Sequence, residues 1–153
     1  MSEINWKSKC WVTTIFLVNE GKVLLSFNNN LKTWIPVGGH IDLGENPEEA
    51  IIREVREETG FDFEFLPKPK QDGNGLVKVL KPMQVQIEKV PHHGEHINII
   101  FAGKCTRSFE KETTDDNERL KWFSMQELEE MKGKMLENVR ESAIKAIGIC
   151  TAD

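Results

Sequence analysis

Residues 46–60 constrain this chain more than any other stretch. Asn46-Pro47-Glu48-Glu49 is a helix start: Asn46 suits the N-cap, Pro47 the first helical position, and Glu49 the third position of a capping box. Gly60 suits a left-handed C-cap. On a helical wheel Ile51, Ile52, Val55 and Thr59 form a stripe about 100° wide, the face expected to be buried. Glu54, Glu57 and Glu58 share a neighbouring arc of about 100°, beside that stripe rather than opposite it. Like charges at this spacing cost a few tenths of a kcal/mol each, roughly, and more near a sheet. Something positive should offset them. Arg53 flanks the acidic arc and can pair with one carboxylate and fix its direction. Several carboxylates with room for water also suit a hard divalent cation such as Mg²⁺ or Mn²⁺. On these residues alone, a solvated acidic face is the more economical reading.

The rest of the chain supplies strands. Cys10 to Val18 and Val23 to Phe27 flank the turn Asn19-Glu20-Gly21 and read as a β-hairpin. Trp34 to Val37 is a short extended piece that Gly38-Gly39 is expected to break. Phe61 to Leu66 alternates apolar and acidic residues as a strand does, and Pro67 to Gly75 reads as a loop. Leu76 to Val90 is strand-rich, with Pro82 at an edge or bend. His96 to Cys105 reads as a central strand, Thr106 to Asn117 as a charged loop, and Arg119 to Phe123 as a short strand. Ser124 caps a helix through Glu130, and Met135 to Ile147 repeats apolar residues at helical steps. The order β-β-β-α-β-β-β-β-α-α predicts an α/β fold: a mixed sheet covered by helices on both faces.

Length and charge bound the function. A chain of 153 residues fits one domain, taken as 1–153, that needs no disulfides. Cys10, Cys105 and Cys150 are odd in number, widely spaced and without a CxxC pair, so neither a disulfide framework nor a structural zinc site is expected. His92, His93 and His96 fit no zinc spacing and read as polar hairpin residues. The net charge of −5 disfavours nucleic acid as a general partner. It leaves phosphate substrates open if cations lie between the like charges. The N-terminal residues carry no apolar signal region and no run is long enough to span a membrane, so no membrane association and a cytoplasmic location are expected.

Spacing reverses the economical reading of the helix. Gly39 precedes Glu45 by six positions and Glu45 precedes Arg53 by eight; Arg53-Glu54-Val55-Arg56-Glu57-Glu58-Thr59-Gly60-Phe61 follows. This stretch resembles the signature of the Nudix hydrolase family, GX5EX7REUXEEXGU, at every fixed position, with Val55 and Phe61 at the bulky apolar sites. Chance would produce such a match in roughly one chain per million of this length. Trp34-Ile35-Pro36-Val37-Gly38-Gly39-His40-Ile41 looks like the family's lead into the box, although Val37 separates Pro36 from the glycines. Glu118 to Ser124 looks like its closing strand and helix start.

The resemblance implies the Nudix α/β/α sandwich and metal-dependent hydrolysis of a nucleoside diphosphate linked to another group, with water attacking phosphorus. Carried over position by position, Glu54, Glu57, Glu58 and the Gly39 carbonyl would be metal ligands for Mg²⁺ or Mn²⁺. Glu45 would support the helix and help hold Arg53. Glu57, Glu54, Arg53 and Glu118 form the expected catalytic set; the general base is left open among Glu57, Glu54, Glu118 and Asp116, with Glu95 a weaker candidate. Trp34 is a candidate for stacking on the substrate, with core packing as its alternative. The expected partner is a small-molecule diphosphate, and a homodimer is plausible by analogy. Two other readings stay open: action on an RNA 5′ end, served by Lys68, Lys70, Lys78, Lys81 and Lys89, and a non-catalytic nucleotide-binding module.

Overall fold

The computed structural model describes residues 9–67, 80–90, 94–106 and 119–152. Its elements are β1 (Lys9–Asn19), β2 (Lys22–Asn28), β3 (Thr33–Ile35), β4 (Val37–His40), α1 (Pro47–Glu58), β5 (Phe63–Leu66), β6 (Gln84–Val90), β7 (Gly94–Cys105), β8 (Arg119–Phe123), α2 (Met125–Glu130) and α3 (Glu137–Thr151). The strands form one sheet along the path β3-β2-β1-β7-β5, with β4 paired to β1, β6 to β7 and β8 to β2. The β1–β7 pair is parallel and the other pairs are antiparallel, so the sheet is mixed as expected.

Alternation along β1 divides the core. Ile15 and Leu17 point toward α1, where they meet Ile51, Val55, Val37, Phe101 and Leu120. Phe16 and Val18 point to the other face, against Val139, Ala143, Ala146 and Ile147 of α3. A period of two on a strand between two helices gives this result without further instruction. Each large apolar side chain buried here contributes roughly 1.5–3 kcal/mol. The β1–β2 hairpin turns through Glu20 at φ +50° and Gly21 at φ +74°, the paired positive values that match strand twist.

Several expectations need correction. Gly38 and Gly39 do not break the chain; they lie inside β4, a strand the sequence reading lacked. A Cβ on Gly38, whose φ is +152°, would come within 2.1 Å of the Thr13 carbonyl oxygen, so the absence of a side chain lets β4 press against β1. Ile52 is 43% exposed, and the buried α1 residues are Ala50, Ile51 and Val55. The helix lies rotated from the expected stripe, with Ala50 rather than Ile52 on its buried side. β5 is shorter than Phe61 to Leu66, and α3 begins at Glu137 and continues to Thr151. The Pro67–Gly75 loop, apart from Pro67, and residues 76–79 of the expected strand lie outside the described residues.

Candidate active site

The site starts at β4. Its register with β1 sets Gly39 opposite Thr13 and Gly38 opposite Thr14. Gly39 therefore faces α1, and the Glu54 carboxylate rests directly on it: a Cβ there would be 2.6 Å from Glu54 Oε1. On its edge, the Gly38 N–H donates to Glu58 Oε2 at 3.2 Å. The expected capping box fixes where α1 begins: the Glu49 N–H donates to Asn46 Oδ1 at 2.9 Å, and the Asn46 N–H to Glu49 Oε1 at 3.3 Å. Glu48 Oε1 accepts from the Leu80 N–H at 2.6 Å and ties that first turn to the chain returning toward β6.

Arg53 organises the acids. Its Nε and Nη2 donate to the two oxygens of Glu45 at 2.8 and 2.9 Å, a planar fork on a carboxylate. Nη1 donates to Glu54 Oε1 at 3.0 Å and to Glu57 Oε2 at 3.3 Å. Nη2 also donates to the His40 carbonyl at 3.1 Å and lies 3.3 Å from Asp42 Oδ2. Glu45 accepts in addition from the Asp42 N–H at 2.9 Å, so the loop between β4 and α1 closes on the same guanidinium. The Arg53 hydrogen bonds, then the Asp42 N–H, hold the Glu45 carboxyl below the usual carboxylate range. The same bonds, led by Glu45, push Arg53 further up.

Glu54, Glu57, Glu58, Glu45, Arg53 and Gly39 are thus gathered at one margin of α1. Sequence reasoning missed Asp42 and the His40 carbonyl; the only signal for them was their place in the loop that must return to Glu45. Exposure separates the acids: the Glu54 side chain is 14% exposed and Glu57 59%. Trp34 lies on the other face of the sheet. Its ring meets Phe27 and Phe123 edge-on at 5.3 and 5.2 Å and packs against the core on the α3 face, the far side of the sheet from Glu54. Glu118, Asp115, Asp116, His92, His93, Lys68, Lys70 and Lys78 lie outside the described residues. Glu95 pairs with Lys9 at 3.5 Å at the far end of β7. Burial pushes the Cys105 thiol up to about 12 and the Cys150 thiol up to about 11, which suits packing rather than reactivity. No helix among the described residues is long and apolar enough to cross a membrane.

The donor set bears on the implied cation. Among the described residues no three acidic, histidine or cysteine side chains already converge on one point as metal ligands. The geometry gives the reason: Glu54 and Glu57 both lean on Arg53 Nη1, and Glu58 turns to the Gly38 N–H. Yet four carboxylates, those of Asp42, Glu45, Glu54 and Glu57, surround this single guanidinium. That excess of acid, set over a glycine with no Cβ to fill the space, fits a hard cation with oxygen ligands.

Comparison with known proteins agrees over nearly the whole chain. An mRNA hydrolase (m7GpppN-mRNA hydrolase) of Xenopus laevis is 46% identical over 47 residues, 31% of this chain and 15% of that protein. The asymmetrical bis(5′-nucleosyl)-tetraphosphatase of Mus musculus is 45% identical over 40 residues, 26% of this chain and 27% of that protein. The matched stretches thus span well under a third of those relatives' own lengths. The crystal structure of a NUDIX-family hydrolase from Clostridium perfringens superposes with a TM-score of 0.80 at 29% identity, covering 92% of this chain and 97% of that one. The NUDIX domain profile matches residues 11–145, from the first strand of the sheet through most of the last helix, and the chain belongs to the Nudix family.

Proposed function

We propose that this protein hydrolyses a diphosphate linkage in a small nucleoside diphosphate compound, such as a nucleoside triphosphate or a nucleotide sugar, with Mg²⁺ or Mn²⁺. The observation that carries the reading is the Arg53 cluster: one guanidinium bonded to the acids that the Nudix signature specifies, over a bare glycine. Glu54, Glu57 and Glu58, with the Gly39 carbonyl, would hold the cation. When bound, it supplies charge neutralisation to the diphosphate and lowers the pKa of water at the reacting phosphorus.

The chain's own residues supply position. Phosphoryl transfer asks a protein mainly for orientation and charge, since little covalent chemistry falls to it. Arg53 is a positioning residue: its fork to Glu45 fixes the plane of the guanidinium, and Nη1 then fixes Glu54 and Glu57. Glu57 is the more open of the two helix acids on Arg53, where it can take a proton from the attacking water. Glu54, mostly buried against Gly39, is better placed as a ligand. Glu118 remains the alternative base.

The relatives named for a cap-bearing RNA and a dinucleoside tetraphosphate both have phosphoanhydrides in their substrates, which supports the bond type rather than any one substrate. The test is a panel of nucleoside diphosphate compounds with Mg²⁺, assayed for phosphate and pyrophosphate release beside Glu57→Gln. We expect Glu57→Gln to lose about 100-fold or more in kcat while remaining folded. Equal activity in the two proteins would remove Glu57 from the site. A parent that binds Mg²⁺ and cleaves nothing on the panel would instead favour a binding module.

A further inference from the structure

The sheet face opposite α1 changes character along its length. Under α3 it is apolar, with Phe16, Ile100 and Ala102 buried together. Toward the start of β1 the same face turns polar. The register sets Thr14 on β1, Asn98 on β7, and Gln84, Gln86 and Glu88 on β6 on that one face. These side chains form a continuous run of hydrogen bonds. The Thr14 hydroxyl donates to Asn98 Oδ1 at 3.1 Å, and Asn98 Nδ2 donates to Glu88 Oε2 at 3.1 Å. Gln86 Nε2 donates to the same Glu88 oxygen, and Gln84 Nε2 to Gln86 Oε1 at 2.7 Å. The run grades from Asn98, 3% exposed, to an exposed Gln84.

Packing does not ask for Asn98, the buried member of the run, since an apolar residue there would continue the core without the cost of burying an amide. The position of the run gives it a use. β4 pairs with β1 alone among the described strands, and its two faces serve different ends. Gly39 lies under Glu54 on the α1 face, while the register sets His40 on the face of the polar run, with its ring edge-on to His96 at 5.3 Å. β4 thus stands between the carboxylate cluster and the start of the run at Thr14 on β1, and Glu88 lies two strands beyond Thr14, on β6.

We propose that Glu88, held by Asn98 and Gln86, determines specificity by reading the hydrogen-bonding edge of the substrate's nucleobase, and that it selects a guanine-type edge. This rests on the hydrolase reading above and adds the base to it. Among the described residues the run uses Glu88 Oε2 and does not engage Oε1. A carboxylate so fixed offers acceptors only, which matches the adjacent N1–H and N2–H donors of guanine. Adenine presents an acceptor beside its amino donor on the corresponding edge and pairs instead with a side-chain amide. The planar imidazoles of His40 and His96, on the same face, supply surfaces on which a flat base can stack.

The test uses the full chain with Mg²⁺ and a matched pair of substrates, GTP and ATP. Both carry the same triphosphate and differ only in the base. We expect the parent to favour GTP in kcat/KM by about tenfold or more, and Glu88→Gln to abolish or invert that preference, because an amide matches the adenine edge. Thr14→Val, which frees Asn98 without changing its bulk, should reduce the preference by a smaller factor and serves if Glu88→Gln does not fold. Lys89→Gln, next to Glu88 but directed to the other face, should leave the GTP:ATP ratio unchanged. Activity on both triphosphates with a ratio that neither Glu88→Gln nor Thr14→Val moves would overturn the base-reading role and leave the hydrolase intact. A parent preference for ATP would do the same. Inactivity on both triphosphates, with other diphosphates cleaved, would overturn it as well. Inactivity on every diphosphate would remove both readings together.

Discussion

Two arginines gather acids in this molecule, and they do so in different proportions. Arg53 is shared among Glu45, Glu54, Glu57 and Asp42, four carboxylates on one guanidinium. Arg140, on α3, forks onto Glu137 at 2.7 and 3.0 Å and approaches Glu129 at 3.6 Å. Its side chain is 9% exposed, and among the described residues its buried Nη1 has no hydrogen bond. The second cluster sets two carboxylates on one guanidinium, a smaller excess of acid, and joins α2 to α3, as a structural tie should. The first has acid in excess at a place where the backbone is bare. A fold gains nothing in stability from uncompensated carboxylates, so the imbalance at Arg53 is the feature on which the proposed cation rests.

The conservative exchange of each arginine for lysine is the sharpest way to break the comparison. Lysine keeps the charge and loses the fork. Arg53→Lys should lower kcat by about 100-fold, since misdirected ligands near a reacting phosphorus are costly at sub-ångström scale. It should move KM much less and weaken Mg²⁺ binding in a direct titration. Arg140→Lys should lower the melting temperature and leave kcat near the parent's. Equal kinetic losses in the two variants would mean that both clusters are structural.

Neighbouring glycines give a smaller contrast within one strand. At Gly38 an added Cβ meets backbone, the Thr13 carbonyl at 2.1 Å; at Gly39 it meets the end of a side chain, Glu54 Oε1 at 2.6 Å. Backbone cannot swing aside and a carboxylate can. Gly38→Ala should therefore destabilise the fold by about 1–3 kcal/mol or more, through strain at its φ and displacement of β4. Gly39→Ala should fold near normally and lose about tenfold in kcat/KM, because Glu54 leaves its place. Denaturation midpoints and steady-state kinetics on both variants separate the two effects. A fully active Gly39→Ala would show that Glu54 does not need this seat.

These contrasts also mark how far the sequence could be read. The capping box at Asn46 and the alternation in β1 are local and appear where their residues require, and the expected left-handed Gly60 follows directly on the C-cap, which is Thr59. The acids of the site were legible because the Nudix signature holds them at fixed spacings along a loop and one helix. What failed was non-local. Gly38-Gly39 reads as a breaker until the Thr13 backbone is known to lie against it. Ile52 looks buried on a wheel because no wheel knows that Ala50 takes the buried side. For Trp34 the sequence leaves stacking and core packing both open, and only the structure shows Phe27 and Phe123 edge-on to its ring. The polar run from Thr14 to Gln84 needed the pairing of three strands before it existed at all.

The mildest difference between the arginine clusters concerns acid. The Arg53 fork and the Asp42 N–H hold Glu45 below its ordinary range, and the Arg140 fork does the same for Glu137. A carboxylate depressed in the folded state contributes stability that is fully present above its unfolded pKa, about 4.3. That contribution is lost as pH falls through the lower folded value. Glu45→Gln and Glu137→Gln should each lower the urea midpoint slightly at pH 7 and flatten its fall between about pH 5 and 3. So far the two clusters behave alike. They part in activity at pH 7: Glu45→Gln frees the plane of Arg53 and should lower kcat, whereas Glu137→Gln should not. Urea midpoints across that pH range, read beside kcat, test both halves. An unchanged acid limb in Glu45→Gln would mean that the fork does not hold Glu45 below its ordinary range, and an unchanged kcat that Arg53 holds Glu54 and Glu57 without help from Glu45.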